Sequence, residues 1–132
     1  MKITADTNLL VRAITDDDPI QSPLARRELS SADLVAVTLP TLCELVWVLS
    51  RSYGTPSVVV ADLLTQLLAS GNVVVDRAAA EAGLSLLAAG ADFADGVIAY
   101  QGAWLGGEAF VSFDQEAVRL LRAQGVAARL PA

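Results

Sequence analysis

Short β-type runs alternate with longer helical patterns along this 132-residue chain, and that alternation limits its fold more than any other feature. Strands are expected near Lys2 to Ala5, Leu34 to Val37, Val73 to Val75 and Ala109 to Ser112, with a short fifth near Val126 to Arg129. Helical spacing fills the gaps at Asn8 to Ala13, Ser22 to Ser30, Thr41 to Tyr53, Ser57 to Ala69, Arg77 to Ala88, Phe93 to Leu105 and Gln115 to Ala123. Gly54, Gly71 and Gly106-Gly107 follow helix ends, and Pro23 and Pro56 stand near helix starts. This is an α/β pattern. No linker, low-complexity stretch or repeat interrupts it, so one domain over residues 1–132 is expected. Strands separated by helices pair in parallel, with their C-terminal ends along one sheet edge, and α/β proteins bind ligands there.

The chain contains no histidine, which removes Ser-His and Cys-His nucleophiles and imidazole metal sites. Its one cysteine, Cys43, cannot make an internal disulfide and falls in an apolar helix, where an inert buried thiol is expected. Carboxylates remain as the chemical groups. Over half of the chain is apolar, yet no apolar run approaches the roughly 18 residues that cross a membrane. Asp6 interrupts what would be the apolar run of a secretory signal, which gives the expectation of a cytoplasmic protein. The net charge of −6 opposes non-specific binding to long nucleic acid, unless bound cations invert the local field.

Asp6 closes the first strand ahead of Thr7-Asn8, where it can cap the next helix or serve a site. Thr7 and Asn8 suit the orienting of a carboxylate and are also ordinary turn residues. Glu44 is the only charged residue between Asp33 and Arg51, in a segment apolar nearly all round, which predicts a buried helix. A carboxylate there needs a partner, either a metal or a poorly placed Arg51. Asp92 and Asp95 share one helical face three residues apart, with Asp92 also the natural N-cap. Gly96, inside that helix, costs roughly 1 kcal/mol relative to alanine with no reason evident in the sequence. Asp114 follows the fourth strand and repeats the placement of Asp6. The run Asp16-Asp17-Asp18-Pro19 is read as a solvated turn, because consecutive side chains point apart.

Carboxylates gathered in one crevice without histidine need neutralising, and oxygen-only donors select hard cations such as Mg²⁺ or Mn²⁺. The chemistry expected of such a site is phosphodiester hydrolysis, with no protein nucleophile.

Asp6-Thr7-Asn8, Glu44 in Glu44-Leu45-Val46-Trp47-Val48-Leu49, the segment Asp92-Phe93-Ala94-Asp95-Gly96-Val97-Ile98-Ala99 and Ser112-Phe113-Asp114 resemble the four acidic motifs of the PIN-domain ribonucleases, in order and spacing across the chain. They are most similar to the VapC-like toxins of bacterial toxin-antitoxin pairs. The resemblance implies a three-layer α/β/α sandwich with a parallel sheet of about five strands ordered 3-2-1-4-5. It implies a Mg²⁺- or Mn²⁺-dependent endoribonuclease, a homodimer, and inhibition by a cognate antitoxin protein. Asp6, Glu44, Asp95 and Asp114 take the acidic cluster, and Asp92 matches a frequent extra acid whose role as ligand stays open. Ser112 stands where threonine is usual and keeps the hydroxyl beside Asp114. Arg12, on the helix after Asp6, is the first candidate for a phosphate contact, with a solvated helix-end arginine as the alternative.

Three rivals fit some of these features. A housekeeping PIN-fold nuclease of RNA processing shares the acids. A non-catalytic scaffold would not need all four. A Mg²⁺-binding phosphoacceptor domain shares length and topology but needs a lysine after a late strand, and the only lysine is Lys2.

Overall fold

In the computed structural model, which describes residues 1–132, the strands are only two or three residues long and always parallel to their neighbours. The chain divides into two compact units, Met1–Arg77 and Ala78–Ala132.

The first unit opens with β1 (Lys2–Thr4), α1 (Thr7–Thr15), α2 (Gln21–Ser31) and β2 (Leu34–Ala36). It continues through α3 (Leu39–Trp47), a π turn (Val48–Ser52), α4 (Ser57–Ala69) and β3 (Val73–Val74). β2 is central: Ile3 pairs with Val35, and Val35 with Val73. The backbone bonds Ala5 N to Ala36 O and Val37 N to Val74 O, each 3.0 Å, extend the ladder just past the strand ends. Val35 in β2 and Val37 just past it are buried, while Leu34 and Ala36 on the opposite face are half-buried. Leu10, Leu42, Leu45, Leu49, Val60 and Leu64 are buried with Val35. Fully burying one such side chain stabilises a fold by about 1.5–3 kcal/mol, before the entropy of ordering it.

The sequence predicts an unbroken helix from Thr41 to Tyr53. The structure starts it earlier, with Thr38 as N-cap and Pro40 in the first turn, and widens it after Trp47 into the π turn. There Tyr53 N donates to Val48 O at 3.3 Å, five residues back. Such turns recur at functional places in helices.

The second unit contains α5 (Arg77–Ala88), which begins at its boundary, then α6 (Phe93–Trp104), β4 (Phe110–Val111), α7 (Gln115–Ala123) and β5 (Ala128–Arg129). β4 pairs with β5 through Phe110 with Ala128 and Val111 with Arg129. Leu86, Val118, Leu121 and Ala128 form a buried cluster, with Ala91, Ala99, Phe110 and Leu120 packed on it. Gly90, at φ 100°, takes the left-handed conformation that turns the chain out of α5, while Ala91 N reaches back 3.0 Å to Leu86 O. α6 then crosses α5 at glycine: a Cβ on Gly96 would lie 2.8 Å from the Gly83 Cα, and one on Gly83 would lie 2.6 Å from the buried Phe93 ring. Gly96, unexplained in the sequence, is the contact that lets the two helices approach.

The α/β class holds, with parallel pairing throughout; the strands form two separate hydrogen-bonded sheets, β1-β2-β3 in the first unit and β4-β5 in the second. No helix is long and apolar enough to cross a membrane.

Candidate functional site

In the first unit, Asp6 stands two residues beyond β1 and is the N-cap of α1, its Oδ1 accepting the Leu9 N–H at 2.9 Å. Its side chain lies at an open groove of about 320 Å³ between α1 and α2, whose polar lining is Asp6, Asn8, Arg12, Gln21 and Glu28. Thr7 is buried at the start of α1, and Asn8 is exposed beside Asp6. Glu44 corrects the sequence-based expectation. It is exposed, as is Trp47 one turn on, and no cation pairs with it. α3 is therefore not a buried helix; its apolar composition includes residues left in solvent. Cys43 next to Glu44 is half-buried, less enclosed than expected.

Arg12 does not extend freely toward solvent. Its Nε donates to Gln21 Oε1 at 2.9 Å, and its Nη1 donates to Asp17 Oδ1 at 3.1 Å and to the Tyr53 hydroxyl at 3.4 Å. Tyr53 in turn donates to Asp17 Oδ2 at 2.7 Å. A phosphate reaching Arg12 must compete with Asp17. The acidic run is a turn, as its sequence suggests: Asp16 pairs with Arg26 at 2.9 Å, and Asp18 accepts the Ile20 and Gln21 N–H groups at the start of α2. Sequence reasoning missed Tyr53, because its partner lies 36 residues away and no local pattern announces the bond.

In the second unit, Asp92 caps α6, with Oδ1 accepting the Ala94 N–H at 3.2 Å, and Asp95 follows one turn inside. Asp114, three residues past β4, caps α7 through the Ala117 N–H at 3.0 Å. Ser112 Oγ accepts the backbone N–H of Asp114 at 3.0 Å, which fixes the turn that carries that carboxylate. Asp95 is half-buried. Partial burial, then the nearby charges of Asp92 and Asp114, push its carboxyl above the ordinary carboxylate range. These three acids are close enough to repel.

Capping uses one oxygen of Asp6, Asp92 and Asp114 and leaves each a second, so cap and ligand are compatible roles. An all-oxygen donor set and an unrelieved repulsion at Asp95 suit a hard divalent cation. Neither unit gathers three or more Asp, Glu or Cys side chains into a ready-made metal cage.

Carboxylates just past parallel strands, in a chain without histidine, define an α/β protein whose chemistry rests on oxygen donors. The family model for the PIN domain matches residues 3–122, running through both units, and the chain belongs to that family. PIN domains are typically nucleases that act on RNA and generally use divalent metals, so the phosphoacceptor rival falls away. No curated protein matches the sequence.

Proposed function

We propose that this chain is a Mg²⁺- or Mn²⁺-dependent endoribonuclease, acting as one domain over residues 1–132, and the toxin of a toxin-antitoxin pair. The observation that carries the metal is Asp95. Its carboxylate is half-buried and pressed by Asp92 and Asp114, an arrangement that a cation relieves and that nothing else within the second unit neutralises.

In this reading Asp6, Glu44, Asp95 and Asp114 are the acids that hold the cation, and Asp92 adds to their charge. When bound, a hard divalent cation supplies charge neutralisation and Lewis acidity to phosphodiester hydrolysis. The chain's own part is positional. The caps on α1 and α7 hold Asp6 and Asp114 in place, and Ser112 fixes the Asp114 turn. Thr7 and Asn8 are in this reading the residues that orient Asp6, and Arg12, once released by Asp17, offers a guanidinium to phosphate.

The toxin assignment draws on the motif resemblance and on a pI of about 4.4, which suits an antitoxin tail rich in Arg or Lys. A homodimer and a cytoplasmic setting belong to the same proposal. The test is cleavage of single-stranded RNA by purified protein with Mg²⁺ or Mn²⁺, and its loss in EDTA. Asp6→Asn and Asp95→Asn should lose activity with circular dichroism unchanged; full activity in both would sink the site assignment. A neighbouring reading frame encoding a DNA-binding N-terminus and a basic tail separates a toxin from an RNA-processing nuclease.

A further inference from the structure

α3 and its π turn leave one face of the first unit in solvent, and Pro40, Glu44, Trp47 and Arg51 follow one another along it. Trp47 is 59% exposed. Its neighbours one turn away are Cys43, Glu44, Ser50 and Arg51, none of them a large apolar side chain. Along the helix the indole therefore stands between charges instead of continuing an apolar stripe.

Arg51 is unusual among the arginines. Arg12, Arg26 and Arg119 pair with carboxylates, and Arg77, Arg122 and Arg129 donate to backbone carbonyls. Of the nine basic residues only Lys2, Arg27 and Arg51 have uncommitted side chains, and Arg51 alone of these lies a helical turn from an exposed aromatic ring. In a chain of net charge −6, a free guanidinium one helical turn from an exposed indole fits single-stranded nucleic acid. The ring face takes a base, the cation takes a phosphate, and one extended nucleotide bridges the two.

We propose that Trp47 and Arg51 form an RNA-holding track leading from Glu44, with Trp47 stacking on one base and Arg51 contacting a neighbouring phosphate. This rests on the reading of the chain as a ribonuclease with Glu44 among its acids.

Full-length Trp104→Phe leaves Trp47 as the only indole. Its fluorescence should fall saturably as a mixed-sequence single-stranded 12-mer RNA is added in EDTA. Trp47→Ala should weaken binding of the 12-mer about tenfold, and Trp47→Phe should restore most of it. Arg51→Ala should lower the salt slope of binding by about one, while Arg27→Ala leaves it unchanged. In the cleavage assay, Trp47→Ala should raise KM and spare kcat. Unchanged RNA affinity in Trp47→Ala and Arg51→Ala overturns the track, and so does an equal loss in Arg27→Ala. Weakened self-association in those variants with RNA affinity intact assigns the face to protein and also overturns it. If Trp47→Ala loses its circular dichroism, Arg51→Ala decides alone by the same salt slope. Wild-type protein that binds the 12-mer with quenching but cuts nothing with Mg²⁺ or Mn²⁺ removes the nuclease reading and leaves the track standing.

Discussion

The Tyr53 hydroxyl donates to Asp17 Oδ2 at 2.7 Å and ties the end of the π turn to the acidic turn between α1 and α2. That bond, then the Thr15 hydroxyl, with Arg12 adding its charge, holds the Asp17 carboxyl below the ordinary carboxylate range. A folded-state pKa below the unfolded one stabilises the fold above the unfolded value, and this contribution is lost as pH falls through the folded value. Tyr53→Phe should therefore lower the melting temperature at pH 7. The gap from wild type should close as the pH is taken below about 4. A gap that persists undiminished at low pH would show that Tyr53 stabilises by ring packing instead.

Gly96 and Gly83 set how closely α5 and α6 approach. In Gly96→Ala the new methyl meets the Ala82 carbonyl and lies 2.8 Å from the Gly83 Cα, backbone that cannot swing aside. Alanine improves helix propensity by up to about 1 kcal/mol, whereas overpacking costs about 1–3 kcal/mol and entails backbone shifts. Net destabilisation is expected, read as a lower urea midpoint at unchanged slope. A higher midpoint would mean that the helices separate freely.

Three helices, Ser57–Ala69, Arg77–Ala88 and Gln115–Ala123, begin and end where the sequence places them, because apolar spacing and turn residues act locally. N-capping, one of two roles legible for Asp6, Asp92 and Asp114, is found for all three. What was not legible is direction and distance. An apolar composition around Glu44 says nothing of which residues a helix leaves in solvent, and α3 leaves out Trp47 along with its one acid. The Tyr53 hydroxyl bond depends on a partner far along the chain. Gly96 becomes intelligible only when α5 lies against it.

Capping and metal holding can be separated at Asp114. Asparagine keeps a side-chain oxygen for the Ala117 N–H, so Asp114→Asn should retain stability and lose cleavage. Asp114→Ala should lose cleavage and also about 1 kcal/mol of stability, the usual cost of a missing N-cap. Chemical denaturation of the pair, with RNA cleavage measured on the same preparations, checks both halves. Full cleavage by Asp114→Asn would reduce Asp114 to a cap.

Asp95 offers the opposite trade between stability and activity. Partial burial, and then Asp92 and Asp114, raise its carboxyl above the ordinary range, so the ionised form is a burden on the folded state. That burden is absent below the unfolded value near 4 and grows as the pH rises through the folded one. In EDTA at pH 7, Asp95→Asn should thus melt higher than wild type, and the difference should vanish as the pH approaches about 4. Mg²⁺ should reverse the ranking, because a cation that binds the native acids stabilises wild type by mass action and the variant much less. Cleavage by the variant should drop more than about a hundredfold, since loss of even a supporting group around a metal costs 10–100-fold. If Mg²⁺ raises the melting temperature of both proteins equally, the cation is not held through Asp95, and the acids of the second unit need another explanation.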